Sequence, residues 1–309
     1  MSRSKRWDVV GVGCNSVDYV CRVAALPEAN SPTAKQRLSG HATMCGGQTA
    51  TALAACASFG LKPTYLGAIG ADANGRLIAD ELRRRGVDTS LMLTRDCANR
   101  FAVITVDDVS GDRFILWDRD ERLNLLEAEI DATALRSSRL VHVDNEDEAA
   151  AIVAARVARD SGIPVTSDID RVTPHTQELI ELVTVPILAE HVLGELTGLA
   201  DPERALRRLR RPHHAMACVT LGAAGAVLLV GDAVYHQPSV VIDAVDTTGA
   251  GDVFRAGFIY GLLNDYAPRE LVAFANAAAA TSCTRAGAMA GVPSLDEVQQ
   301  LIRGASAPR

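Results

Sequence analysis

The sequence predicts an α/β fold: a doubly wound, mostly parallel sheet flanked by helices, with a small β lid. Two observations carry this. Short apolar runs alternate with longer stretches of helical period through much of the chain, the pattern of strand–helix–strand units. Residues 19–44 and 98–118 break the alternation and read as extended segments inserted outside the main sheet. The 309 residues are expected to form a single domain, with the lid made by those two insertions.

Residues 9–12 form the first strand candidate. Residues 47–59 are alanine-rich and helical, and Gly60 stands where a left-handed C-cap would fall. Residues 65–69 read as a buried strand. Asn74 can then cap a helix in which Leu77, Ile78, Glu81, Leu82 and Arg85 recur at three and four residues, until Gly86 stops it. In the second insertion, residues 101–106 and 113–117 flank a polar turn at 107–112, which predicts a β-hairpin. Further strands are expected at 140–143, 165–168, 184–188, 218–221 and 226–230, and helices at 148–159, 202–211 and 253–263.

Charge excludes several classes. Lys plus Arg number 31 against 38 Asp plus Glu, a formal charge of −7, so no basic footprint for nucleic acid is expected. Arg83 to Arg85 and the arginines of 207–211 fall at helix ends, where cations suit the helix dipole. Only Lys5, Lys35 and Lys62 are present, none after a glycine, which excludes a Walker A loop and a protein-kinase strand lysine. Seven scattered cysteines without a C-x-x-C pair read as reduced thiols. With no signal peptide and no membrane-length apolar run expected, the expected location is the cytoplasm.

The chemistry concentrates at residues 245–254, Val-Asp-Thr-Thr-Gly-Ala-Gly-Asp-Val-Phe, where a polar turn passes through small residues into a helix. Small residues let backbone N–H groups converge on an anion at a helix N-terminus without any lysine. Asp252 falls in the same first turn. A carboxylate there repels a phosphate, yet it suits phosphoryl transfer if a substrate hydroxyl lies between them and must lose its proton.

Residues 246–257 resemble the C-terminal motif D-T-x-G-A-G-D-x-F-x-x-G of the PfkB (ribokinase-like) carbohydrate kinases and match every fixed position. Upstream, Cys45-Gly46-Gly47-Gln48-Thr49-Ala50-Thr51 and residues 67–75 resemble the family's N-terminal motif, and Gly11-Val12-Gly13 with Asp18 its opening strand. Residues 219–225 resemble its T-x-G-x-x-G adenine-side loop. The resemblance implies a ribokinase-like fold and ATP-dependent phosphorylation of a sugar hydroxyl. Asp252 would be the base, and the N–H groups of Gly249, Ala250 and Gly251 the anion hole. It implies sugar contacts from Asp18, Gly46, Gly47, Gln48 and Thr51, and nucleotide contacts from Thr220, Gly222, Gly225 and Asn276. Mg²⁺ would accompany ATP, with Glu190 organising metal-bound water, although Ala189 replaces the asparagine that many members carry near it. Asp246, Thr248, Ser282, Arg285, Gly287 and Gly291 would surround a K⁺ ion.

Two further candidates come from position. Arg119 follows the hairpin and could meet an acidic group on the sugar. Asp144, with His142, Asn145 and Glu146, ends a strand on the ligand side of an open sheet, so these are candidate hydroxyl contacts. Gln48 and Thr51, where ribokinases proper have lysine and asparagine, weaken ribose as substrate. The G-G-x-x-A-T form and the tail at 284–293 resemble the sulfofructose kinase branch. Three alternatives stand beside a sugar kinase: a nucleoside kinase of the same fold, a non-catalytic sugar or nucleotide sensor, and a dinucleotide-binding dehydrogenase. The last fails at Ser16, where the third fingerprint glycine should be. Exposed lid edges make a lid-to-lid homodimer the expected assembly.

Overall fold

The structure, a computed structural model, describes residues 5–306. Strands Val165–Asp168, Ser138–Asp144, Trp7–Val12 and Pro63–Leu66 lie side by side in that order, all parallel. Bridges from Thr166 to Val185 and from Ile169 to Leu188 continue the sheet to Ile187–Ala189. Ala217–Thr220 follows in parallel, then Ala226–Val230 and Ala233–Gln237 in antiparallel pairing. The chain runs from Trp7–Val12 outward to Pro63–Leu66, then returns to the other side of the first strand. That reversal opens a crevice at the carboxyl ends of the strands.

Both faces of the sheet are covered, so its strands are apolar on both sides. Helices Gln48–Ser58, Ala250–Leu263 and Pro268–Ser282 bury Leu53, Val253, Ile259 and Phe274 against one face. Glu148–Asp160, Thr176–Leu182, Glu190–Thr197 and Pro202–Leu209 bury Ala155, Leu179, Val192 and Leu206 against the other. Each fully buried leucine or isoleucine contributes about 1.5–3 kcal/mol.

A separate four-stranded sheet has the order Gly40–Gly46, Ser16–Val23, Phe101–Asp107, Arg113–Asp118. Its edge strand leaves Phe114, Ile115, Leu116 and Trp117 each more than half exposed. Ser16 opens a strand, so the glycine pair Gly11-x-Gly13 leads into extended chain and not into the helix that a dinucleotide fold requires.

Three local expectations change. The run at 65–69 divides at Gly67 into Pro63–Leu66 and Ala68–Gly70, and the second piece pairs with Leu93–Arg95. Asp72, not Asn74, caps the helix Ala73–Arg84: its carboxylate accepts the Gly75 N–H at 2.8 Å, while Asn74 Oδ1 accepts the Tyr19 hydroxyl at 2.6 Å. The run at 184–188 pairs continuously only from Ile187, because Pro186 has no N–H for the ladder.

Candidate active site

Asp246 builds the turn that enters the helix Ala250–Leu263. Its Oδ1 accepts the Thr248 N–H at 2.9 Å and the Thr248 hydroxyl at 2.7 Å, and its Oδ2 accepts the Gly287 N–H at 2.9 Å. Burial alone would raise this carboxyl. The hydrogen bonds, joined by Arg113, outweigh it and hold Asp246 below the ordinary carboxylate range. Gly249 caps the helix at φ +79°, and a Cβ there would lie 2.7 Å from Cα and Cβ of Ala288, so glycine alone fits. The Ala250 N–H turns back to the Thr247 carbonyl at 3.2 Å. The orphan donors and positive dipole end of the first turn lie at Gly249 and Gly251. Of the three expected anion-hole donors, Ala250 is thus engaged by its own turn.

Two clefts meet on this turn. One, of about 310 Å³, is lined by Asp18, Met44, Asp246, Thr248, Gly287 and Ala288. Asp18 accepts the Ser16 hydroxyl at 2.9 Å, and its Oδ2 lies 2.9 Å from where a Cβ on Gly46 would stand. Burial raises the Asp18 carboxyl against the pull of Ser16 and Arg100. Ala288 touches the Cβ positions of both Gly46 and Gly249, so the Asp18 strand and the glycine turn are one residue apart. The other cleft, of about 400 Å³, is lined by Thr220, Gly222, Gly225, Asn276, Thr247, Ala250 and Gly251. The buried Asn276 shapes its wall, donating to the carbonyls of Gln237 at 2.9 Å and Pro238 at 3.2 Å.

Asp252 sits half-buried in the first turn of its helix. Burial, followed by the neighbouring charge of Asp168, pushes its carboxyl well above the ordinary aspartate value, against the opposing pull of Arg255. A carboxylate whose proton affinity is raised is a stronger proton acceptor than an ordinary aspartate.

The structure disperses other expected contacts. Asp144 is fully buried, and its oxygens accept the N–H groups of Cys14 at 2.7 Å, Thr49 at 3.3 Å and Glu146 at 3.0 Å and the Thr49 hydroxyl at 2.7 Å. It anchors the loop after the first strand, and both of its oxygens are engaged within the protein. Asn145 and Glu146 are likewise committed, to Arg171 and to the pair Arg100 and Arg171, while the fully buried His142 bonds Thr166 through Nδ1 and leaves Nε2 without a partner among the described residues. Thr51 is also fully buried and so lies out of reach of a sugar. Gly47, at φ +95°, passes so close to Asn15 that a Cβ would lie 2.4 Å from its Cα, and Gln48 opens the helix behind it. Arg119 lines neither cleft; its guanidinium donates to Asn124 in a narrow recess beside Gly13 and Arg100.

Ser282, Arg285, Gly287 and Gly291 come together. A Cβ on Gly291 would fall 2.8, 2.9 and 3.5 Å from the carbonyl oxygens of Gly287, Ser282 and Arg285. Glycine lets these three oxygens gather in one small cradle beside Asp246; the Gly287 oxygen accepts the Gly291 N–H at 2.7 Å and the Ser282 oxygen the Arg285 N–H at 3.3 Å, and oxygens of this type suit a hard monovalent cation. Glu190 is exposed at the start of its helix, next to Ala189, which pairs with the cleft residue Thr220. No group of three His, Cys, Asp or Glu among the described residues is placed to hold a metal ion by itself. Mg²⁺ bound mainly through nucleotide phosphates is compatible with that, since it keeps several waters.

Four site residues escaped the sequence reading. Arg22 and Arg113 line the cleft of Asp18, and Arg113 donates to Thr248 Oγ1 at 2.9 Å and Asp246 at 3.0 Å. Arg113 shares a strand face with Ile115 and Trp117, so strand alternation could have drawn attention to it. Asp168 and Arg255 meet beneath Asp252. A charge inside the apolar run after Asp252 is the one sequence sign of that pair.

A glycine turn at a helix start, set between two clefts with a carboxylate in its first turn, is an arrangement suited to phosphoryl transfer in an open α/β fold. The pfkB family carbohydrate kinase model matches residues 12–295, so the chain belongs to that family. It is therefore an ATP-dependent phosphotransferase with an alcohol group as acceptor, of the ribokinase and fructokinase type. Among curated relatives, the chain is 29% identical to the ATP-dependent ribose-1-phosphate kinase of Halopiger xanaduensis, over 95% of this chain and 97% of that protein. It is 28% identical to the ribokinase of Arabidopsis thaliana, over 96% and 81%. Among solved structures, the Arabidopsis thaliana ribokinase complexed with ribose and ATP superposes with a TM-score of 0.84 at 25% identity, covering 96% of this chain and 99% of that one. No helix among the described residues is long and apolar enough to cross a membrane.

Proposed function

We propose that this protein transfers the γ-phosphoryl group of ATP to a hydroxyl of a small sugar or sugar derivative. The observation that carries the reading is the shared turn: Asp246 and Thr248 face the Asp18 cleft, while Thr247, Ala250 and Gly251 face the Thr220 cleft. Asp18 holds sugar hydroxyls beside Gly46. The Asp252 carboxylate accepts the proton of the attacking hydroxyl as that oxygen bonds to phosphorus and ADP leaves. The N–H groups of Gly249 and Gly251 meet the charge that develops on the transferring group. Bound through the nucleotide phosphates, Mg²⁺ would neutralise their charge, and Glu190 would hold water of its shell. The seven free cysteines support a cytoplasmic setting.

ADP release from ATP and Mg²⁺ over ribose, fructose, ribose 1-phosphate, other keto sugars, aldoses, sugar acids and nucleosides tests this reading. Turnover with a sugar or sugar derivative is expected. Faster turnover of inosine or adenosine than of every sugar would make it a nucleoside kinase. Sugar binding without any ADP release would make it a sensor. The sulfofructose kinase likeness of the 284–293 tail adds an anionic keto sugar to the panel.

The carbonyl cradle supports K⁺ dependence. Turnover in K⁺ is expected to exceed that in Li⁺ at equal ionic strength. Gly291→Ala should abolish the difference, because its Cβ would lie 2.8 Å from the Gly287 carbonyl oxygen. Equal rates in the two salts for the unsubstituted protein would remove the cation from the reading.

The strand Arg113–Asp118 supports a homodimer through the lid: among the described residues its outer edge is unpaired, and four consecutive large apolar side chains are exposed along it. Light scattering should give twice the chain mass, and Leu116→Glu should give a monomer. A monomeric mass without the substitution would exclude this assembly.

A further inference from the structure

Arg255 follows Asp252 by three residues on the same helix, and its side chain is only 3% exposed. A guanidinium removed from water needs close partners. Its Nη2 meets Asp168 Oδ1 at 2.9 Å, and Asp168, at the end of the strand Val165–Asp168, is equally buried at 3%. Its Nη1 donates to the Gly251 carbonyl at 3.1 Å. The Asp168 carboxyl in turn shares a hydrogen bond with Asp252. One guanidinium thus ties the central sheet to a peptide of the anion turn and, through Asp168, to the carboxyl beside that turn.

Burying such a pair is poor strategy for stability alone, since well-packed apolar side chains of similar volume do as well or better. Its placement under the reacting groups gives it another use, because phosphoryl transfer depends on reacting atoms held within a fraction of an ångström. We propose that Asp168 and Arg255 are positioning residues that hold the Asp252 carboxylate and the Gly251 peptide in one fixed geometry for phosphoryl transfer. This rests on Asp252 acting as the base.

The charged groups facing Asp252 are Asp168 and Asp170 from the strand end, Asp144 from the neighbouring strand and Arg255 from its own helix. Facing Arg255 are His142 and Cys218. Burial pushes His142 down to about 3 and the Cys218 thiol up to about 12, so both are neutral at working pH. Asp168 and Arg255 therefore act on Asp252 with opposite sign.

The test is a carbon-13 titration of the Asp252 carboxyl in the protein without substrates, its resonance identified by its loss in Asp252→Asn. In Asp168→Asn the midpoint is expected to fall by about one pH unit, and in Arg255→Met to rise by about as much. Arg255→Lys keeps the charge but loses the fork. Its midpoint should stay near that of the unsubstituted protein, while kcat with the best acceptor of the panel falls roughly 10-fold at unchanged KM for ATP. An unmoved midpoint in Asp168→Asn, or shifts of the same sign in Asp168→Asn and Arg255→Met, would overturn the proposal. If Arg255→Met does not fold, Asp168→Asn and Arg255→Lys decide the matter. Full turnover in Asp252→Asn would sink the base itself, whereas an inactive Asp252→Asn with an unmoved Asp168→Asn midpoint would sink only the clamp.

Discussion

Asp252→Asn is expected to leave ATP binding intact and to lower kcat by about 10² to 10⁴. The amide fills the space of the carboxyl and can still donate to Asp168, so the loss isolates the ability to accept a proton. Titration with ATP and steady-state ADP release separate the two effects, and an unchanged kcat would remove Asp252 from the chemistry. The unsubstituted enzyme should carry a matching pH dependence. Burial and Asp168 raise the proton affinity of Asp252, so its carboxylate is lost as pH falls through that raised value. The acid limb of kcat/KM should therefore lie above the range of an ordinary aspartate, and a limb near pH 4 (about the reference aspartate value) would contradict it.

Gly249→Ala is expected to do damage of two kinds. The left-handed conformation at φ +79° costs a residue with a Cβ about 1–2 kcal/mol. The added carbon would also stand 2.7 Å from the Cα of Ala288, a backbone atom that cannot rotate aside. Relief requires the turn to move, which carries the Gly249 and Gly251 N–H groups away from the anion. Loss of one such donor lowers kcat by about 10² to 10³. Urea unfolding should report the first effect and ADP release the second. A variant of normal stability and normal rate would show that this turn neither needs glycine nor holds the phosphoryl group.

The anion turn was legible because it is local. Asp246, Gly249, Gly251 and Asp252 lie within seven consecutive residues, and a helix start places their groups together whatever surrounds them. The carbonyl cradle was legible for the same reason, its oxygens all coming from residues 282–287. Asp18 and Gly46 required the antiparallel pairing that sets Ser16 opposite Gly46, and only the family motif joined them beforehand. Asp144 and Thr51 show the limit: both are polar residues near a ligand-bearing edge, yet packing closed over them. Arg119 follows the hairpin in sequence, yet the strand pairing brings Arg113 to the cleft instead.

By itself, then, the sequence determined the alternating α/β order, most of the helices and the short contiguous glycine turn and carbonyl cradle, because periodicity and glycine turns act over a few residues. The tertiary structure alone decided which polar side chains face a cleft and which are buried. It alone brought Asp168, Arg255 and Asp252 together across 84 residues of chain, from strand end to helix start. Burial and charge pairing are properties of neighbours in space, and those neighbours are assigned only once the sheet order and its covering helices are in place.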